Sequence, residues 1–235
     1  VRGQVYFDQV KLILPIEMRT LNTGGLPGAQ NEYDYPWRHR NTFSSSFNFS
    51  HVVNQRLQLM AMVDLTYQQG YLGLPFHRVY FLTNQMSNER LPSSRFKIPV
   101  AIRAHYFAGN KFVLRGLYRF YKDDWGLDAH TFDIETAYKI SPFFSFVPFY
   151  RYYTQSAIDF FAAYKVHYGT EPYYSSNYDY SKFHSHFYGT GFRLAPAKGI
   201  FGIKHWHAVE VRYGHYERSN GLHADIVSLH LQYKG

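Results

Sequence analysis

Thirteen histidines and no cysteine set the terms for any chemistry in this 235-residue sequence. His184-Ser185-His186 and His205-Trp206-His207 each place two imidazoles on one side of an extended strand. Imidazole is a common ligand for zinc or copper. Antiparallel pairing through a turn at 195–204 brings His184 toward His215, and a turn at Ser219-Asn220-Gly221 brings His215 toward His223. His184, His215 and His223 are therefore the weak candidates for a metal cluster, with His205 and His207 at the opposite rim. Strand parity groups His215 and His223 with apolar neighbours, which fits amphipathic rings at a lipid headgroup level better than ligands, so no metal and no cofactor is expected. Asp123-Asp124-Trp125-Gly126-Leu127-Asp128 carries three carboxylates in six residues but lacks the ligand spacing of an EF-hand. It reads as a polar hairpin turn anchored by Trp125. Ser181 or Ser185 beside His184, and Asp133 beside His130, have no third orienting group at a useful spacing, and there is no Gly-x-Ser-x-Gly elbow. The expectation is a protein that is not an enzyme, without catalytic residues.

The elements that would position these side chains follow a two-residue rhythm. Val227, Leu229, Leu231 and Tyr233 alternate with Ser228, His230, Gln232 and Lys234, and the same beat runs through 57–65 and 132–138. Period two gives a strand one apolar and one polar face. Aromatics make up 20% of the residues, with 23 Tyr and 21 Phe, more than core packing alone asks for. No stretch reaches the roughly 18 uninterrupted apolar residues of a spanning helix, whereas a spanning strand needs only about 9–11 residues, half of them polar. A mean hydropathy below zero is thus compatible with a membrane wall made of strands. The net charge of +8 is spread along the chain without a basic run, which argues against nucleic acid and fits anionic lipid at an outer rim. Without cysteine there is no disulfide or thiolate chemistry. The start at Val1 is read as a processed or partial chain whose export signal lay upstream.

Nine strands are expected at 41–50, 56–66, 96–107, 111–121, 129–140, 143–154, 182–194, 205–216 and 223–234, and a tenth at 4–14. Links near 51–55, 108–110, 141–142 and 195–204 are short or moderate. Those at 15–40, 67–95, 123–128, 155–181 and 217–221 are longer or more polar, and the two kinds alternate. Short turns on one side and longer loops on the other are the asymmetry of an outer-membrane barrel. The fold expected is all-β, an antiparallel up-and-down transmembrane β-barrel in one domain spanning 1–235. About ten strands are visible, and 12–14 in total if N-terminal strands are missing.

Parity sorts the faces. Outward candidates include Phe43, Phe47, Leu59, Val63, Val100, Ile102, Leu114, Tyr118, Phe132, Ile134, Ile140, Phe146, Tyr150, Val209 and Val211. Inward candidates form a charge ladder of Arg56, Asp64, Arg103, Arg115, Arg119, Asp133, Glu135, Arg151, Glu210 and Arg212. Asp225 shares the parity of Val227 and is assigned to the outer rim. Strand 182–194 is ambiguous, because Gly189 and Gly191 could mark a bulge. Neighbouring strands carry opposite signs, so the leading reading is a lumen filled by salt bridges. The alternatives are a conduit for small solutes and a proton or ion relay. Tyr164, Tyr168, Tyr173, Tyr174, Tyr178 and Tyr180 lie in the longest late loop. They suit either contact with a partner protein or glycan, or a lid over the mouth.

Tyr118-Arg119-Phe120-Tyr121-Lys122-Asp123-Asp124-Trp125-Gly126, the stretch from Arg151-Tyr152-Tyr153-Thr154-Gln155-Ser156-Ala157 to Phe161, and the C-terminal strand resemble a family of uncharacterised bacterial proteins. That family is described as a domain of unknown function and predicted to form outer-membrane barrels. The resemblance covers roughly 90–234. It implies further strands before the equivalent of residue 41 and a setting near a small lipoprotein, a thioredoxin-like protein and a flavin transferase. Envelope redox chemistry is thereby implied, but no residue role. The function expected is an integral bacterial outer-membrane scaffold or anchor subunit of a cell-envelope complex. Its expected partners are outer-membrane lipid, lipopolysaccharide and envelope proteins, not nucleic acid. A narrow porin-like channel is the alternative, and an outer-membrane enzyme or metal-handling protein the distant one.

Overall fold

The computed structural model describes residues 1–11, 36–203 and 205–233. In chain order the strands are β1 (Arg2–Lys11), β2 (Trp37–Asn54), β3 (Leu57–Gly70), β4 (Arg78–Tyr80), β5 (Met86–Asn88) and β6 (Ser94–Ala108). They continue with β7 (Phe112–Asp123), β8 (Asp128–Lys139), β9 (Phe144–Gln155), β10 (Phe183–Leu194), β11 (Trp206–Arg218) and β12 (His223–Tyr233). All ten expected strands are present. Residues 12–14 of the first, Lys204 in the moderate link and residue 234 of the last lie outside the described residues, as does most of the 15–40 link.

The ten long strands form one sheet in the order β1-β2-β3-β6-β7-β8-β9-β10-β11-β12, while β4 and β5 pair separately. Every ladder is antiparallel. The architecture is an all-β up-and-down meander. β2 begins before the alternating segment because its polar start has partners on β1: Arg40 Nη2 donates to Asp8 Oδ2 at 2.6 Å. β3 runs on to Gly70, where a side chain has no room. A Cβ there would sit 2.0 Å from the His39 carbonyl oxygen, and φ is +114°.

Register carries parity across the whole sheet. Phe47, Val63, Val100 and Phe120 are opposed in sequence from β2 to β7. Tyr118, Phe132, Tyr152 and His186 continue the same face from β7 to β10. This face is apolar and exposed: Ile102 is 57%, Phe132 51% and Val227 72% accessible. The opposite face carries Ser44, Thr66 and Lys97, then Arg115, Glu135, Asp133 and Arg151. β10 pairs with β9 without a register shift, so the sequence ambiguity is resolved. His184, His186, Tyr188 and Phe192 stand on the apolar face, and Ser185, Gly189 and Gly191 on the polar one. Ile140 lies in the turn after β8.

The sheet is rolled with the polar face inside the curve. Arg212 on β11 reaches Glu135 on β8 at 2.8 Å across two intervening strands, whereas the strands would lie roughly 14 Å apart in a flat sheet. Gly189 and Gly214 face each other at this bend. A Cβ on Gly189 would meet the Tyr213 carbonyl oxygen at 2.0 Å, and one on Gly214 would meet the Phe187 ring at 2.5 Å. Side chains removed at this pair leave space for the rings of Phe149 and Phe187, packed 5.1 Å apart.

Gly189→Ala is expected to lower stability by about 1–3 kcal/mol through overpacking. Gly116→Ala, with nothing within 4 Å of the added atom, should be nearly neutral. Thermal unfolding of both variants checks this, and an equal effect would remove the glycine pair as the cause of the bend.

Candidate functional site

Five alternating charges run along the concave face. Arg115 binds one oxygen of Glu135, and Arg212 Nη1 binds the other at 2.8 Å. Arg212 Nε donates to Glu210, whose second oxygen lies 3.9 Å from Arg193. Beside this chain Arg151 Nε donates to Asp133 at 2.7 Å. Asp133, Glu135, Arg151 and Arg212 line a cavity of about 160 Å³, together with Phe149, Phe187 and Ser228. Asp133, Glu135 and Glu210 are each held by at least one guanidinium, so this part of the face is electrically knitted.

Nine of the ten expected ladder residues share this face. Arg56 does not: it lies in the turn between β2 and β3, where its N–H donates to Asn54 Oδ1 and its carbonyl accepts from Phe107. The turn needs those two residues to reverse the chain, which takes them out of the alternation. Asp64, Arg103 and Arg119 are on the face, with no ion pair among the described residues. Arg193 completes the chain and was hidden by the ambiguous parity of its strand.

At the end where the long links gather, a buried ion pair replaces the open ladder. Asp123 has a fully buried side chain and Arg95 is nearly so. Arg95 Nε donates to Asp123 Oδ2 at 2.8 Å, Tyr121 Oη–H donates to the same oxygen at 2.8 Å, and the Trp125 and Leu127 amides donate to Oδ1 at 3.0 and 3.1 Å. The guanidinium lies 4.3 Å over the Trp125 ring, and the indole N–H donates to the Ser94 carbonyl. Trp125, Leu127 and Ile158 form a buried cluster. The hairpin turn anchored by Trp125 is thus as expected. Its carboxylates are occupied within the protein: Asp124 accepts from the Phe96 amide and Asp128 from Lys122.

Two long loops fold together over this end. The 71–93 loop, which carries the β4–β5 hairpin, is joined to residues 156–182 by the pairing of Arg90 with Tyr174, and Phe161 pairs with Ser175 inside the second loop. Glu89 is buried, accepting from Ser175 Oγ and the Leu74 amide. Val79, Phe81 and Tyr174 form a second cluster. Arg218 on β11 clamps the loop by donating to Asp179 at 2.8 Å, while Gln155 holds the Asp179 and Ser181 carbonyls. The six expected tyrosines therefore divide. Tyr174 is buried and Tyr180 packs on Trp125, whereas Tyr164, Tyr168, Tyr173 and Tyr178 are exposed.

The weak metal candidates do not converge. Tyr188, not His184, opposes His215, and His215 Nδ1 lies 2.9 Å from Asp225. His223 pairs with Glu217, and His184 lies tilted against Tyr152 and edge-on to His186. No group of three His, Asp or Glu that could hold a metal occurs among the described residues. The misplacement comes from register, since the β10–β11 ladder is offset from a symmetric turn.

Removing the Asp123 charge with Asp123→Asn is expected to cost about 3–5 kcal/mol, because Arg95 stays buried without its counter-ion. Urea unfolding reads this, and unchanged stability would show that the pair is hydrated. In the outer loop the Tyr168 amide donates to Glu171 at 3.0 Å and the Gly169 amide at 2.8 Å. Those N–H groups, Tyr168 first, hold the Glu171 carboxyl down at about 2 from an ordinary 4.5. A depressed carboxyl contributes stability above its unfolded value and loses it as pH falls toward the folded one. Protection of the Tyr168 and Gly169 amides should be constant above pH 4.5 and fall between there and 2, as hydrogen exchange will report.

A family described as a protein of unknown function (DUF3570) matches residues 19–226. The chain belongs to that family. No curated protein matches the sequence.

Proposed function

We propose that this DUF3570 member is an integral bacterial outer-membrane β-barrel that acts as a non-enzymatic scaffold or anchor in a cell-envelope complex. One observation carries the reading: a ten-stranded meander whose exposed face is mainly apolar while its concave face is polar and carries a run of paired charges. Apolar surface of this extent facing water is unfavourable by about 25 cal/mol per Å². A bilayer removes that penalty, and the twelve-residue strands β8, β9 and β10 are long enough for a tilted crossing, which takes about 9–11 residues. Lipid also forbids unpaired backbone at a sheet edge, so in this reading β1 and β12 are joined at the seam, directly or through further strands.

Two features favour a closed lumen over a porin-like channel. The Arg115–Glu135–Arg212–Glu210 chain crosses the concave face between β7 and β11, and the folded loops lie across the end where longer links gather. Partners in this reading are lipid and lipopolysaccharide around the wall, with envelope proteins at the four exposed tyrosines. No catalytic residue or cofactor is needed for either role.

Membrane fractionation should place the full chain with outer-membrane porins after carbonate extraction; recovery in a soluble fraction would remove the barrel reading. In planar bilayers the wild-type chain should give no steady channels. Steady conductance abolished by Arg115→Trp would make it a pore. Substituting Tyr164, Tyr168, Tyr173 and Tyr178 together by Ser should release co-purifying envelope proteins while leaving the far-ultraviolet strand signal unchanged.

A further inference from the structure

The folded loops build a second concavity, separate from the charged face. It lies between the β4–β5 hairpin and the 156–182 loop, with a volume of about 800 Å³, and is lined by Tyr80, Phe81, Tyr174, Asn84, Gln85 and Ser87 among others. Although the chain carries a net charge of +8, no charged side chain lines it. Its walls are fixed. Phe81 and Tyr174 are buried and meet edge-to-face at 5.1 Å, and Tyr80 stands against Tyr164 at 5.2 Å. Gly169 closes over the Phe81 ring, where a Cβ would already be 3.4 Å away.

The polar lining keeps hydrogen-bonding capacity to spare. Asn84 sits at φ +63° at the hairpin tip, a conformation asparagine tolerates. Lys165 Nζ lies 2.7 Å from its Oδ1. An ammonium only donates, so this contact fixes the amide orientation and leaves Nδ2 with two free donors. Gln85 is exposed, and its side-chain amide makes no hydrogen bond among the described residues. Ser87 Oγ accepts from Tyr174, and its own hydroxyl proton remains to donate. Rigid rings beside planar amides and a hydroxyl, with the adjoining Lys165 ammonium already engaged by Asn84 Oδ1, match a ligand with apolar C–H faces and many vicinal hydroxyls.

We propose that this concavity binds a neutral saccharide, with a pyranose C–H face against the partly exposed Tyr80 ring, which the buried Phe81 and Tyr174 back, and its hydroxyls on Asn84, Gln85 and Ser87. The proposal does not depend on the chain being a scaffold or a pore. The full chain in dimethylamine-oxide micelles, which contain no sugar, is tested by saturation-transfer NMR against maltotriose, cellotriose and tri-N-acetylchitotriose. Sialyllactose and a tyrosine-rich peptide are the charged and protein-like comparisons. At least one neutral trisaccharide should receive saturation. Asn84→Gly, which keeps the left-handed turn, combined with Gln85→Ala should weaken it about tenfold or more, as expected for lost hydrogen bonds to a desolvated ligand. Arg115→Gln on the concave face should leave it unchanged. Saturation of none of the neutral sugars, preference for sialyllactose or the peptide, or undiminished transfer in the double variant would each overturn the proposal.

Discussion

Everything in this molecule depends on parity being conserved through nine consecutive antiparallel ladders. Each long strand puts one chemistry on odd positions and another on even ones, and a slip of one residue between neighbours would exchange them. At β7–β8 such a slip would turn Glu135 outward beside Leu114 and bring Ile134 against Arg115. The cost of that exchange rises with each strand that shares the error. Register is therefore held by chemistry as well as by turns. The two irregularities, near Val52/Asn54 and Trp206/Ala208, lie at strand ends where the short links begin.

The two ends of the sheet treat charge differently, and burial explains why. Along the concave face the guanidinium groups of Arg115 and Arg151 remain about half exposed, so their pairs are hydrated and individually modest. At the capped end Arg95 and Asp123 are enclosed, and each remaining lone pair of the carboxylate has a donor from Tyr121, Trp125 or Leu127. A fully satisfied network of this kind defines one geometry rather than many. The loops 71–93 and 156–182 can fold as a unit because this network gives them a fixed base.

Most of the wall was legible from alternation alone, since Leu57–Val63 and Phe132–Tyr138 each show a clean period of two. The ladder pairs Arg115–Glu135 and Asp133–Arg151 were legible for the same reason: short turns leave little freedom in register. Legibility ended where contacts are non-local. Nothing near Glu89 announces that Ser175 covers it, and the three-residue strands β4 and β5 are too short to show a period. Arg95 sits at the end of a long link with no local signal, because its role comes from Asp123 and Trp125 on another hairpin. The weak histidine candidates stay apart because of an offset of a few residues, which no local pattern reports. Of the saccharide-site residues, only Tyr174 had been singled out, and for a different reason.

Arg218 has a consequence for the order of assembly. It belongs to β11, yet it grips Asp179 and the Tyr178 carbonyl in the loop that connects β9 to β10. When β10 has just paired with β9, that loop has no such clamp. It acquires one only after the chain has reversed through residues 195–205 and laid down the whole of β11. The cap is thus locked by a strand that follows it in sequence, so a closed cap reports that β11 lies in place along β10 as far as Arg218.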